Sequence, residues 1–149
     1  MCELLGTPIY FQCKRPFRAT TIAVNIDNAR QQLTRDLDAA ADPRARGVIA
    51  ISVSRVFNPG DQLYAGPNEA TATKHLGDEV QSLGEQCRDA WAKIEDLRII
   101  GILFHVITPS HIQDINLLTV AQQTVVFPLP NRVEPDVELL RRFADIIGN

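Results

Sequence analysis

Pro8-Ile9-Tyr10-Phe11-Gln12-Cys13-Lys14-Arg15-Pro16 is a short apolar run that stops in a polar and basic tip. Strand alternation puts Ile9, Phe11 and Cys13 on one face and Tyr10, Gln12 and Lys14 on the other. The first face is expected to be core, with Cys13 an inert buried thiol. The second carries an amide and an ammonium two residues apart at a strand end, where a sheet usually offers a site. Arg15-Pro16 ends the strand, because proline lacks a donor and holds the residue before it in extended geometry.

Working outward, Gly6-Thr7 reads as a two-residue hairpin loop, which pairs Leu5 with Pro8, Glu3 with Tyr10 and Met1 with Gln12. Glu3 then shares the Tyr10, Gln12 and Lys14 face, whereas a one-residue slip would move it to the opposite one. Downstream of a Thr20 or Thr21 cap, Ile22, Ile26, Ala29, Leu33, Leu37 and Ala40 recur at spacings of three and four, which predicts an amphipathic helix of about five turns. Asn25, Gln32 and Asp36 lie along one edge of it. After Asp42-Pro43 the run Gly47-Val48-Ile49-Ala50-Ile51-Ser52-Val53-Ser54 reads as a central parallel strand buried on both faces. Residues 8 to 54 therefore form a β-α-β unit.

Residues 57 to 73 are rich in Asn, Pro, Gly, Asp and Thr and read as a long loop. Leu76, Val80, Leu83, Cys87, Ala90, Trp91 and Ile94 mark a second long helix, which Gly77 and Gly84 are expected to weaken by about 1 kcal/mol each relative to alanine. Its acidic cluster, Asp78, Glu79, Glu85 and Asp89, reads as a wet face. An apolar strand from Leu97 to Ile107 is expected to end at Thr108-Pro109, and another runs from Leu117 to Phe127. A last helix starts near Pro135 and carries Val137, Leu140, Phe143 and Ile147. The order β-α-β, loop, α-β-β-α defines an α/β class: a mixed sheet with a β-α-β unit flanked by helices.

The 149 residues fit one domain, 1–149. The start at Met1 falls where a first strand should already be in progress, so part of the N-terminal hairpin is expected to be missing. A net charge of −3 gives no global attraction to nucleic acid, so any phosphate binding must come from a local patch. Arg18, Arg30, Arg44, Arg46 and Arg55 are its candidates beside Lys14 and Arg15, set against the plain reading of a solvated strand end. The cysteines at 2, 13 and 87 match no disulfide framework or zinc motif and read as reduced thiols of a cytoplasmic protein. No run reaches the roughly 18 apolar residues of a membrane span, so no membrane partner is expected. His75, His105 and His111 match no metal-binding spacing, and His105 inside an apolar strand reads as a satisfied core histidine. Phosphate-binding glycine loops and nucleophile elbows are absent from the sequence.

Phe11-Gln12-Cys13-Lys14-Arg15-Pro16, a helix carrying Ala29-Arg30-Gln31-Gln32-Leu33, and then Arg46-Gly47-Val48-Ile49-Ala50-Ile51 resemble the PD-(D/E)XK, or restriction-endonuclease-like, nuclease superfamily. They are similar in particular to bacterial members with an A-x-x-Q-L segment in that helix. The resemblance covers about the first third of the chain and implies a restriction-endonuclease-like fold and metal-assisted phosphodiester hydrolysis of DNA, with Mg²⁺ held by carboxylates. It implies that Lys14 is the motif lysine, Gln32 the helix glutamine and Gln12 the motif position usually held by a carboxylate. Glu3 is then the candidate metal ligand, and Arg15 and Arg18 the candidate DNA-binding residues.

An active protein would be a metal-dependent endo- or exodeoxyribonuclease. With a neutral amide at Gln12 the domain is expected to hydrolyse weakly or not at all. The alternative is a non-catalytic interaction or scaffold module, expected to be a homodimer. A third reading places a small-molecule enzyme site in the loop of residues 57 to 73.

Overall fold

The computed structural model describes residues 1–60 and 63–148. Its strands are β1 (Cys2–Leu4), β2 (Thr7–Lys14), β3 (Arg46–Ser52), β4 (Tyr64–Gly66), β5 (Ile99–Ile112) and β6 (Leu117–Pro128). Its helices are α1 (Ile22–Ala39), α2 (Ser54–Phe57), α3 (Glu69–Gln86), α4 (Arg88–Trp91) and α5 (Glu134–Gly148). The chain has an α/β fold built on one mixed sheet. Strands β2, β3 and β5 run parallel side by side, β1 pairs antiparallel with β2, and β6 pairs antiparallel with β5 along its whole length.

The apolar runs produce this order because the central strands are covered on both faces. On one side, Ile22, Ile26, Ala29, Leu33 and Leu37 of α1 and Leu76 and Val80 of α3 pack with Ile49, Ile51, Ile102 and Phe104. On the other, Leu139, Leu140, Phe143 and Ala144 of α5 pack with Ile9, Val48, Ile100 and Leu103. Arg132 secures the approach to α5 by donating to the carbonyls of Ile94, Asp96, Ile99 and Pro130. No helix among the described residues is long and apolar enough to cross a membrane.

Five local expectations are corrected. The hairpin turns at Leu5-Gly6, both with positive φ (52° and 73°), so Glu3 pairs with Pro8 rather than Tyr10. Two-residue turns with both central residues at positive φ match the twist of a hairpin, and here leucine takes one of those places. The segment from 57 to 73 is not all loop: Tyr64–Gly66 joins the far part of β5 as a parallel strand, and α3 begins at Glu69 with the Asn68 side chain capping Thr71 N at 2.9 Å. The second long helix breaks at Cys87 into α3 and α4, and Trp91 Nε1 folds back to donate to the Gly84 carbonyl at 2.9 Å.

Strand β5 continues through Thr108-Pro109 to Ile112. The proline is tolerated because its edge is open there: β3 stops opposite His105 and β4 starts opposite Ser110. Finally, the Ile9, Phe11 and Cys13 face is core only at Ile9, while Phe11 is 39% exposed and Cys13 is exposed. Helix α5 covers the N-terminal half of that face, reaching Phe11 through Phe143 at 5.8 Å between ring centroids, and leaves the C-terminal half open.

Candidate functional site

The polar tip of β2 meets the polar edge of α1. Residues i and i+4 on a helix stand about 6 Å apart along its axis, and residues i and i+2 on a strand about 6.6 Å apart. With α1 running back over β2, Gln32 and Asp36 therefore match Lys14 and Gln12 rung by rung. Lys14 Nζ donates to Gln32 Oε1 at 2.6 Å, and Gln12 Nε2 donates to Asp36 Oδ2 at 2.7 Å. All four side chains are half-buried.

This arrangement joins the three residues expected at the catalytic positions, Lys14, Gln12 and Gln32. It adds Asp36, which the sequence places on the same helix edge but does not mark as a partner. The signal was present as spacing: Gln32 and Asp36 four apart on the helix face that covers Gln12 and Lys14 two apart on the strand. Glu3 is not brought into the group. It keeps the expected face, but opposite Pro8 it stands four strand residues from Gln12, about 13 Å away, and its charge acts on Arg44 at the opposite end of the sheet.

Chemically, the group offers one ammonium, one carboxylate and two amides. Lys14 is its one cation. Gln32 Oε1 accepts from it at 2.6 Å, and Asp36 and the Gln12 carbonyl are the other oxygen donors of the group; Mg²⁺ sites in proteins use one or two carboxylates completed by water and substrate oxygens. Among the described residues, no three His, Cys, Asp or Glu side chains stand close enough together to share an ion.

The expected basic patch is smaller than its candidates. Arg30 is paired with Asp27, Arg44 with Asp42 and Arg46 with Asp136. Arg15, Arg18 and Arg55 make no ion pair among the described residues. Arg15 and Arg55 line one groove beyond the ends of β2 and β3, and the Arg55 guanidinium lies over the Phe17 ring at 4.9 Å. Just past Lys14, therefore, two guanidiniums without an ion pair among the described residues share one groove.

The other singled-out residues take structural places. His105 Nδ1 bonds Thr124 Oγ1 at 2.8 Å and His111 Nε2 bonds Asn116 Oδ1 at 2.9 Å, while His75 stands exposed on α3. Asp78, Glu79, Glu85 and Asp89 are all exposed. Burial pushes the thiols of Cys13 and Cys87 above their ordinary range, even though Cys13 lies at the open part of its face. In comparison with known proteins, no family model, curated protein or solved structure matches this chain.

Proposed function

We propose that this chain is a restriction-endonuclease-like domain that holds DNA by its phosphates, with Lys14 at the contact, and that it is weak or inactive as a phosphodiesterase. The observation that carries this reading is the paired ladder Lys14–Gln32 and Gln12–Asp36. It supports the proposal because the residues that the motif resemblance singles out on two separate elements meet in one group. Arg15 and Arg18 extend the cationic surface beyond it.

The low activity follows from the donor set. Gln12 supplies a neutral oxygen where the motif usually supplies a charged one, so any Mg²⁺ rests chiefly on Asp36. The test uses closed circular DNA with Mg²⁺ or Mn²⁺, wild type beside Lys14→Ala. Salt-sensitive binding that weakens about tenfold in Lys14→Ala, as expected for a charged contact that is lost, upholds the reading. Binding that is absent, or equal in the two proteins, overturns it. Gln12→Glu is expected to raise metal affinity in calorimetry, and an unchanged titration would remove the latent metal site.

A second reading, a homodimeric interaction module, is favoured by one surface. Along the β5–β6 hairpin, Ile107 (46% exposed), Leu118 (67%) and Val120 (60%) share an outward face, with Ile115 (67%) at the tip. Light scattering decides it: a monomer at all concentrations removes the reading, and a dimer that Val120→Glu dissociates establishes it.

A further inference from the structure

The groove beyond the ends of β2 and β3 has a volume of about 530 Å³, within the range of small-molecule sites. Its lining residues are of two chemical kinds. Arg15 and Arg55 supply guanidiniums that no carboxylate neutralises among the described residues. Ser54 and Asn58 stand with them: the Ser54 Oγ accepts from Ile107 N at 2.9 Å, which leaves its hydroxyl proton to donate, and Asn58 is anchored to Thr108 Oγ1 at 3.1 Å. Leu63 and Ile107 add apolar surface to the lining.

From this division we infer that the groove binds a phosphate monoester carried on an organic body about the size of a nucleotide. Two guanidiniums match a group that carries about −1.5 to −2 at neutral pH and accepts paired N–H bonds. The Phe17 ring centroid lies 4.9 Å from the Arg55 guanidinium, a cation–π contact that uses up no N–H donor and leaves those groups for the ligand. The volume exceeds what inorganic phosphate fills, and the remainder borders Leu63 and Ile107, so the body of the ligand lies there.

A free nucleotide and the phosphorylated end of a strand share this chemistry. The second source rests on the DNA reading above, and the first does not. Both differ from that reading in their contact, because closed circular DNA has no terminal phosphate.

The experiment is calorimetry of the full chain with inorganic phosphate, with adenosine monophosphate, and with a short oligonucleotide carrying either a 5′-phosphate or a 5′-hydroxyl. Wild type is compared with Arg55→Ala and Arg15→Ala, both at exposed positions, and circular dichroism checks that each variant is folded. The expected result is that the nucleotide, the phosphorylated strand or both bind more tightly than inorganic phosphate and lose about tenfold or more in each variant. Tight binding of the nucleotide identifies a free ligand; binding only of the phosphorylated strand, with the hydroxyl strand weaker, identifies a strand end. Failure of every monoester to bind, or binding unchanged in Arg55→Ala and Arg15→Ala, overturns the inference. Circular DNA separates the two readings: binding that depends on Lys14 and not on Arg55 upholds the DNA reading alone, and monoester binding without circular-DNA binding upholds the groove alone.

Discussion

Lys14 on β2 and Gln32 on α1 are joined by a hydrogen bond of 2.6 Å, so the one ammonium of the strand tip is held by the helix that covers it. A charged donor to an amide oxygen is worth about 1.5–3 kcal/mol when buried, and less where water competes. Gln32→Ala is expected to cost about 1 kcal/mol, read from the urea midpoint. A Lys14→Ala and Gln32→Ala cycle should give a coupling of similar size, and additive effects would show that the bond contributes nothing.

Arg46 at the start of β3 donates through Nε to Asp136 Oδ1 of α5 at 2.8 Å, with side-chain exposures of 27% and 13%. The pair fastens the helix that covers one face of the sheet to its central strand. Burial lies between the surface case, worth up to about 1 kcal/mol, and the buried case, where losing one partner costs about 3–5 kcal/mol. Asp136→Ala is expected to lose about 1–3 kcal/mol in denaturant unfolding. A loss that vanishes in 1 M salt would place the pair at the surface limit instead.

The two glycines of α3 should respond to alanine with opposite signs. At Gly77 a Cβ would meet Gln123 no closer than 3.7 Å, which is ordinary contact, so Gly77→Ala keeps the helix-propensity gain of up to about 1 kcal/mol. At Gly84 a Cβ would stand 2.2 Å from Phe127 Cε2, in a cluster where Trp91 and Phe127 rings lie 5.3 Å apart. Overpacking there costs about 1–3 kcal/mol and outweighs the propensity. Thermal melting should rise for Gly77→Ala and fall for Gly84→Ala; a rise in both would mean the Phe127 ring moves aside freely.

Those glycines show where sequence stops informing. The central strands and α1 were legible because burial writes itself as runs of β-branched residues and as apolar residues every three or four positions. The meeting of Lys14 and Gln12 with Gln32 and Asp36 was written in the sequence only as spacing, two apart on the strand and four apart on the helix, and nothing local says which rung of a helix falls over which rung of a strand. Strand β4 is three residues in a turn-rich segment, too short for alternation to mark. The hairpin register turned on Leu5 adopting a conformation that glycine or asparagine usually takes. Alternation assigned Cys13 to the correct face, but how far α5 extends over that face is a tertiary fact.

His105 carries a pH dependence whose sign is fixed by burial. Desolvation lowers its pKa below the ordinary value, and the neutral ring bonds Thr124 Oγ1. Between the lowered folded value and about 6.5, the ordinary value of an exposed histidine, the unfolded chain binds more protons than the folded one. Stability therefore rises with pH across that window, is fully present above it, and is lost as pH falls through the folded value. Asp96, held below the usual carboxylate range chiefly by the hydrogen bond from Arg98, loses its contribution only at more acid pH, below about 3.9. The two therefore separate along one titration. His105→Gln is expected to flatten the slope of unfolding free energy just below about pH 6.5 while leaving the steeper acid limb in place. Asp96→Asn is expected to do the reverse. Urea unfolding at a series of pH values measures both, and a His105→Gln slope equal to that of wild type would show that the ring is as accessible to protons in the folded protein as in the unfolded chain.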